Sequence, residues 1–94
     1  MAPEFSLSIE RHHDCNIVHL EGELDLATVD QLRTALADVH GSINFDARQL
    51  SFIDCTGVHA LAEIARNNGG LTIHGANHLV RSVLDICDLT DWLR

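Results

Sequence analysis

The order of hydrophobic patterns limits the folds open to this chain more than any other feature. After a first pair of strand-like segments, short apolar segments alternate with amphipathic helical stripes. The strand-like segments cover residues 5–10, 17–20, 43–45 and 71–74, and the helical stripes cover residues 29–39, 58–65 and 79–87. The predicted order is therefore β-β-α-β-α-β-α. This order indicates an α/β domain in which right-handed crossovers join parallel strands and helices pack against the sheet.

Local signals predict where the first elements begin and end. Asp14-Cys15-Asn16 is typical of a turn, so the first two strands should pair as an antiparallel hairpin and make the sheet mixed. Gly22 is expected to close the second strand. Thr28 and Gln31 have the spacing of a capping box, and the helix that they start is expected to continue to Gly41.

The later elements carry similar signals. Residues 50–53 are expected to form a looser apolar segment after the third strand, which leads to Asp54. The polar, glycine-containing run at 67–70 ends the second helix, and Asn77 is expected to cap the third. Trp92, the only tryptophan of the chain, is expected to pack back on the domain.

Length and charge exclude several classes of function. The chain has 94 residues and a formal net charge of −8, with six arginines, no lysine and no two basic residues adjacent. A chain of this length makes one domain, residues 1–94, with one apolar core, which excludes an enzyme with a cleft between two lobes. Nucleic acid binding is not expected because no basic patch is present to neutralise phosphates.

Apolar stretches, cysteines and histidines predict the location of the chain and whether it holds a cofactor. No apolar stretch approaches the ~20 residues that span a bilayer, and Met1–Glu4 does not begin a targeting segment, so we expect a cytoplasmic chain without membrane insertion. Three widely spaced cysteines favour reduced thiols. His74 and His78 have a helical ligand spacing, but Gly75 interrupts it, and no metal or cofactor is expected.

Three predicted loops leave strands and enter helices, and such loops gather along one edge of a sheet where sites are usually found. They are Gly22-Glu23-Leu24-Asp25, Asp54-Cys55-Thr56-Gly57 and Gly75-Ala76-Asn77. Carboxylates, a thiol and a hydroxyl are therefore expected to converge on this edge.

Thr56 has two readings. Its hydroxyl is expected at a helix start, where unpaired N–H groups and the macrodipole favour a phosphoryl group. A phosphate there would add roughly −1.5 to −2 charges beside Asp54 and would repel a partner docked on the edge. The alternative is that Asp54 or Thr56 only caps the helix.

The neighbouring residues also leave alternatives open. A helix start favours a reactive thiolate at Cys55, but no cysteine near it in sequence would resolve an oxidised form, and a small filler side chain is the other reading. His59 is close enough in sequence to serve as a base, yet nothing marks a substrate pocket or an oxyanion hole, so no enzyme is predicted. Glu23 and Asp25 are either a magnesium-type carboxylate pair or a solvated turn.

Taken together, Gly22-Glu23-Leu24-Asp25, Phe52-Ile53-Asp54-Cys55-Thr56-Gly57 and Leu71-Thr72-Ile73-His74-Gly75 resemble the STAS domain family, and within it the stand-alone anti-sigma factor antagonists. The family pattern is a G-E-L-D turn, then F-x-D-S-S-G or D-S-T-G, then a strand that ends in Gly before the last helix. All three occur in order, and the resemblance covers nearly the whole chain. It implies a four- to five-stranded mixed sheet packed with three to four helices.

The resemblance also implies a partner-switching function. In the family, the unphosphorylated antagonist binds an anti-sigma factor that is also an ATP-dependent serine/threonine kinase, which frees a sigma factor. Phosphorylation of the hydroxyl residue before the motif's Gly ends that binding, and this residue corresponds to Thr56 here. Asp25, Asp54, Cys55, Gly57 and Glu23 are the partner-binding residues that the resemblance predicts.

Two positions depart from the family pattern. Cys55 stands where Ser, Ala or Thr is commoner, and the hydroxyl residue is Thr rather than the more frequent Ser. The alternative function is an accessory subunit of a membrane transport assembly such as a lipid-transporting ATPase, in which the same Thr position contacts the ATPase. A scaffolding role in stressosomes usually goes with an extra N-terminal domain, which this sequence is not expected to have.

Overall fold

A computed structural model describes residues 5–94. The prediction that Met1–Glu4 begins no targeting segment lies outside the described residues. The strands are β1 (Phe5–Arg11), β2 (Cys15–Leu24), β3 (Ser42–Ile53) and β4 (Leu71–His74). The helices are α1 (Val29–Leu36), α2 (Cys55–Asn68) and α3 (His78–Ile86), followed by the 3-10 turn η1 (Thr90–Trp92). Over residues 5–94, no helix is both long and apolar enough to cross a membrane.

The strands form one mixed sheet in the order β1-β2-β3-β4. β1 pairs antiparallel with β2, and β2, β3 and β4 pair in parallel. The end of the chain returns to the sheet, because Leu93 bridges Ile73 and the Arg94 N–H donates to the Ile73 carbonyl at 2.9 Å. Trp92 packs against the core. The predicted fold class, element order and packing of the tail are therefore confirmed.

The helices cover one face of the sheet. Alternate strand residues, such as Val18 and Phe45, are fully buried together with Leu32, Leu61 and Leu84 from the three α-helices. The intervening strand residues are mostly polar or half-exposed, so the opposite face of the sheet is open. Burial of these apolar side chains supplies the main stabilisation of the domain.

The strands are longer than the sequence patterns predict. Gly22 does not close β2, which continues to Leu24 through a register shift after Gly22, where φ is +99°. Residues 43–53 form one strand rather than a strand and a looser segment, because a second irregularity lets β3 stay paired with β2. Cys15 and Asn16 also belong to β2, so the hairpin turn lies at residues 12–14.

α1 begins directly after Thr28, but the predicted capping hydrogen bonds of the Thr28 side chain are not formed. The Thr28 side chain does not cap the helix or form a capping box with Gln31. It is 2% exposed, and its hydroxyl donates to the Glu23 carbonyl at 2.7 Å. The hydroxyl therefore ties the end of β2 to the start of α1 instead of capping the helix.

α1 also ends before the predicted Gly41, at Leu36. The carbonyls that follow are held by side chains of other elements. The Asn68 amide donates to Val39 O at 2.7 Å, and the Asn16 amide donates to His40 O at 2.9 Å. These bonds replace helical ones and direct the chain into β3.

Candidate functional site

The start of α2 is capped by Asp54. Its backbone is extended, and its Oδ1 accepts a hydrogen bond from the Gly57 N–H at 3.0 Å. The backbone of Asp54 is held as well, because its N–H donates to the Leu24 carbonyl at 3.2 Å. Of the two capping candidates, Asp54 therefore fills the role, and Thr56 is left without it.

Gly57 brings the start of α2 against the end of β2. A β-carbon at this position would lie 2.7 Å from the Leu24 carbonyl oxygen and 2.8 Å from Cγ1 of Ile53. Only glycine allows so close an approach between a helix and a strand. Because Asp25 directly follows Leu24, this contact places Asp25 beside the first turn of α2.

Asp25 belongs to a tightly bonded turn between β2 and α1. Its Oδ1 accepts from the Ala27 N–H at 3.0 Å, and its own N–H donates to the Thr28 hydroxyl at 3.0 Å. The backbone carbonyl of Asp25 accepts from the Val29 N–H at 2.9 Å. Glu23 is exposed and lies within β2, so it is not a turn residue as the sequence predicted.

Thr56 is the second residue of α2 and is half-buried. Over the described part of the chain, its hydroxyl makes no side-chain hydrogen bond, in contrast to the Asp54 carboxylate. The first N–H groups of a helix have no partner within it, and only that of Gly57 is taken by the cap. The Thr56 hydroxyl thus lies at a helix start that is capped by another residue.

The third predicted segment does not reach this edge. β4 pairs only with residues 43–46 of β3 and ends well before Ile53. Gly75 instead lies against the Arg48 side chain, and the Asn77 amide donates to the Leu50 carbonyl at 3.2 Å. Asn77 does cap α3 as predicted, because its Oδ1 accepts from the Val80 N–H at 2.8 Å.

Two cysteines lie at helix ends. Cys55 is the first residue of α2 and is exposed, and Cys87, the residue after α3, is half-buried. Burial raises the pKa of the Cys87 thiol, and the nearby Cys55 adds to this shift.

Two apolar side chains are strongly exposed, one directly after Asp25 in the sequence and the other at the end of α3. Leu26, which follows Asp25, is 75% exposed, and Ile86, which precedes Cys87, is 83% exposed. Sequence patterns missed both, because Leu26 lies in a turn and Ile86 is outside the buried stripe of α3.

A charged cluster on the open face of the sheet was also missed. His19 lies between Glu10 and Asp46, with its Nδ1 2.8 Å from Asp46 Oδ2. Arg48 donates to both oxygens of Asp46, at 2.9 and 2.8 Å. Hydrogen bonds raise the pKa of His19, the bond to Glu10 contributing most and the bond to Asp46 next. The hydrogen bonds from Arg48 hold the pKa of Asp46 well below its usual range. These residues come from three strands, which explains why spacing gave no signal.

Metal ligands are not grouped at either place. Over residues 5–94, no three histidine, cysteine, aspartate or glutamate side chains lie close enough together to hold a metal ion.

The fold and this edge define a small α/β domain, with one helix-covered mixed sheet and the Thr56 hydroxyl at a helix start that Asp54 caps. The chain belongs to the STAS_2 family, described as "Mlab, STAS domain", whose model matches residues 7–94. The resemblance to STAS domains is thereby confirmed. No curated protein sequence matches the chain.

Solved structures share the fold. The anti-sigma factor antagonist SpoIIAA in its unphosphorylated form is 22% identical, with a TM-score of 0.85 over 95% of this chain and 86% of that one. An anti-sigma factor antagonist from Mycobacterium paratuberculosis is 21% identical, with a TM-score of 0.83 over 96% and 84%. A sulfate transporter family protein from Wolinella succinogenes is 20% identical, with a TM-score of 0.67 over 84% and 75%.

Proposed function

We propose that this chain is an anti-sigma factor antagonist controlled by phosphorylation of Thr56. In the unphosphorylated state it binds an anti-sigma factor that is also a serine/threonine kinase, and this releases a sigma factor. The observation that carries the proposal is the free Thr56 hydroxyl at a helix start where Asp54 already supplies the cap. The protein acts in the cytoplasm in this role.

The chemistry of a helix start supports the modification. A phosphoryl group on Thr56 would meet unpaired N–H groups and the positive end of the α2 dipole. The phosphate would not displace a cap, because the Thr56 hydroxyl takes no part in capping. Its added charge of roughly −1.5 to −2 would lie beside Asp54 and Asp25, so a partner docked there would meet repulsion and a desolvation cost.

The surface around Thr56 suits a protein partner. Leu26, which directly follows Asp25, supplies an exposed apolar contact beside the polar edge. The formal net charge of −8 favours a partner with basic residues at its interface. Association of such a pair should be slower at high salt because the long-range attraction is screened.

Phosphopeptide mapping tests the proposal directly. Tagged chain recovered from its host cells should carry phosphate on Thr56, and the Thr56→Ala variant should carry none. Thr34→Ala, which removes an exposed threonine on α1, is the matched control and should be phosphorylated like the wild type. Phosphate on another residue, or in the Thr56→Ala variant, would contradict the proposed switch.

The second candidate is an accessory subunit of a membrane transport ATPase, including those that move lipids. The match to a sulfate transporter family protein favours it, since STAS domains occur outside anti-sigma regulation. In this role Thr56 would be a contact residue rather than a phosphate acceptor. Identification of the captured partner separates the two candidates.

A further inference from the structure

A cavity lies on the open face of the sheet, on the side away from the helices. Its volume is about 470 Å³, and most of its polar walls come from β3 and β4. The half-buried Ile17 adds an apolar wall from β2. A second cavity, of about 450 Å³, is also lined by His19, Asp46 and Arg48. The charged cluster is therefore bordered by two cavities.

Arg48 is held at the first cavity from two directions. A β-carbon on Gly75 would overlap Cγ of Arg48, so the glycine leaves room for the aliphatic part of this side chain. At the other end, Nε and Nη2 of Arg48 donate to the two oxygens of Asp46 at 2.9 and 2.8 Å. Nη1 has no hydrogen-bond partner within residues 5–94, so one arm of the guanidinium group is free to donate to a ligand.

The Thr72 hydroxyl fixes the orientation of two further side chains. It donates to Oδ1 of Asn44 at 2.6 Å, so its oxygen accepts from Nε2 of His74 at 3.0 Å. In the part of the chain that the structure describes, Nδ2 of Asn44 and Nδ1 of His74 have no partner. Both side chains line the first cavity together with Arg48.

The acceptor atoms around this cavity are already engaged. Oδ1 of Asp46 accepts from the N–H and Nε of Arg48, and Oδ2 accepts from Nη2 of Arg48 and Nδ1 of His19. The other ring nitrogen of His19 bonds to Glu10. The Arg48 charge offsets that of Asp46, and protonated His19 offsets Glu10. The side-chain polar atoms left open are nitrogens, so a ligand has to bring the acceptors.

We propose that this cavity binds a small organic oxyanion, either a carboxylate or a phosphate ester. The oxygens of the ligand accept hydrogen bonds from Nη1 of Arg48 and Nδ2 of Asn44, and its apolar part lies against Ile17. His74 is a third donor when its ring is protonated. Hydrogen bonds already hold these side chains in place, which lowers the entropic cost of binding. The site goes beyond the proposed function and does not depend on it.

An NMR titration of the purified chain tests the proposal. Acetate and inorganic phosphate are the probes, and sodium chloride at equal ionic strength is the blank. We expect saturable shifts of the amide signals of residues 44–48 and 72–75 with at least one probe and not with chloride, and the tighter probe tells a carboxylate from a phosphate site. No saturable shift with either probe, the same shifts with chloride, or shifts confined to the start of α2 would overturn the proposal.

Variants test the site in the same titration. Asn44→Asp keeps an acceptor for the Thr72 hydroxyl but replaces the free donor by a negative charge. It should weaken binding about tenfold or more, as loss of a hydrogen bond to a charged group does. Arg66→Gln, which lowers the net charge equally at an exposed position of α2, is the matched control and should bind like the wild type. Equal weakening in both variants would contradict a specific site.

A second variant keeps the test decisive if Asn44→Asp does not fold. Arg48→Lys preserves the positive charge but removes the planar group whose free Nη1 faces the ligand. Binding should again fall, while the dispersed amide spectrum shows that the domain is folded. Wild-type affinity in Arg48→Lys would overturn the proposed contact.

Discussion

Gly57 and Leu24 approach so closely that a β-carbon on Gly57 would lie 2.7 Å from the Leu24 carbonyl oxygen. This contact joins the end of β2 to the start of α2. It places the Asp25 turn near the first turn of α2. The geometry of the site is therefore set by backbone packing, together with the hydrogen bonds of the Asp54 cap and of the Asp25 turn.

Replacement of Gly57 by Ala should destabilise the domain. The added methyl group meets backbone and a buried isoleucine, neither of which can move cheaply, and overpacking of this kind costs about 1–3 kcal/mol. Urea denaturation gives the free energy of unfolding. Gly69→Asn is the control, because Gly69 has open space around it and asparagine tolerates its positive φ. Equal stability losses in both variants would contradict the close contact.

Removal of the Asp54 cap should also cost stability. Asp54→Ala leaves the Gly57 N–H without its acceptor, and loss of such a cap typically costs about 1 kcal/mol. Asp54→Asn keeps an acceptor oxygen and should lose much less. Thermal unfolding of the two variants measures the difference. If Asp54→Ala melted like the wild type, the cap would contribute nothing.

Asp25 combines a role in the turn with a proposed role in partner binding. Asp25→Ala removes the acceptor of the Ala27 N–H and should cost about 0.5–1.5 kcal/mol. Asp25→Asn keeps this acceptor and removes the charge, so it should be close to wild type in urea denaturation. The proposed role predicts weaker partner binding for both variants. If Asp25→Asn bound the partner as tightly as the wild type, Asp25 would have only its structural role in the turn.

The stability of the domain should depend on the protonation of His19. Hydrogen bonds to Glu10 and Asp46 raise the pKa of His19 in the folded state. Protonated His19 therefore stabilises the folded domain fully at a pH below its pKa in the unfolded chain, about 6.5. This contribution is lost as the pH rises through the raised folded pKa. The pKa values of Glu10 and Asp46 are lowered, so their contributions are lost instead as the pH falls below about 4.

Denaturation at about pH 6 and about pH 9 measures the His19 effect, since these values lie on either side of an ordinary histidine pKa. The stability difference between wild type and His19→Gln should shrink on going to the higher pH. His59→Gln, which changes an exposed residue of α2, is the control. A difference that stays constant or grows with pH would show that the His19 ion pairs do not act as described.

Element type and order could be predicted because hydrophobic periodicity records which side of each element is buried. The helix start at Asp54 and the cap at Asn77 were also accessible, since both depend on side chains within three residues. The capping box at Thr28 failed for the opposite reason. Its hydroxyl donates to the backbone carbonyl of Glu23 at the end of β2. The spacing of residues within the helix gives no sign of this bond to a strand.

The remaining errors at the site have the same origin. The length of β4, which ends well short of the β3 end, decides that only two of the three predicted loops meet. Contacts of this kind depend on how elements pack, and a single sequence carries no signal for them.

Affinity capture with a set of Thr56 variants tests the central claim most directly. Wild-type, Thr56→Ala and Thr56→Glu chains serve as baits in lysate of the host cell, with Thr34→Glu as a charge control on α1. We predict that an ATP-binding anti-sigma kinase is captured by every bait except Thr56→Glu, whose carboxylate imitates part of the phosphate charge. Equal capture of the kinase by Thr56→Glu, or capture of membrane transport ATPase subunits in its place, would contradict the account.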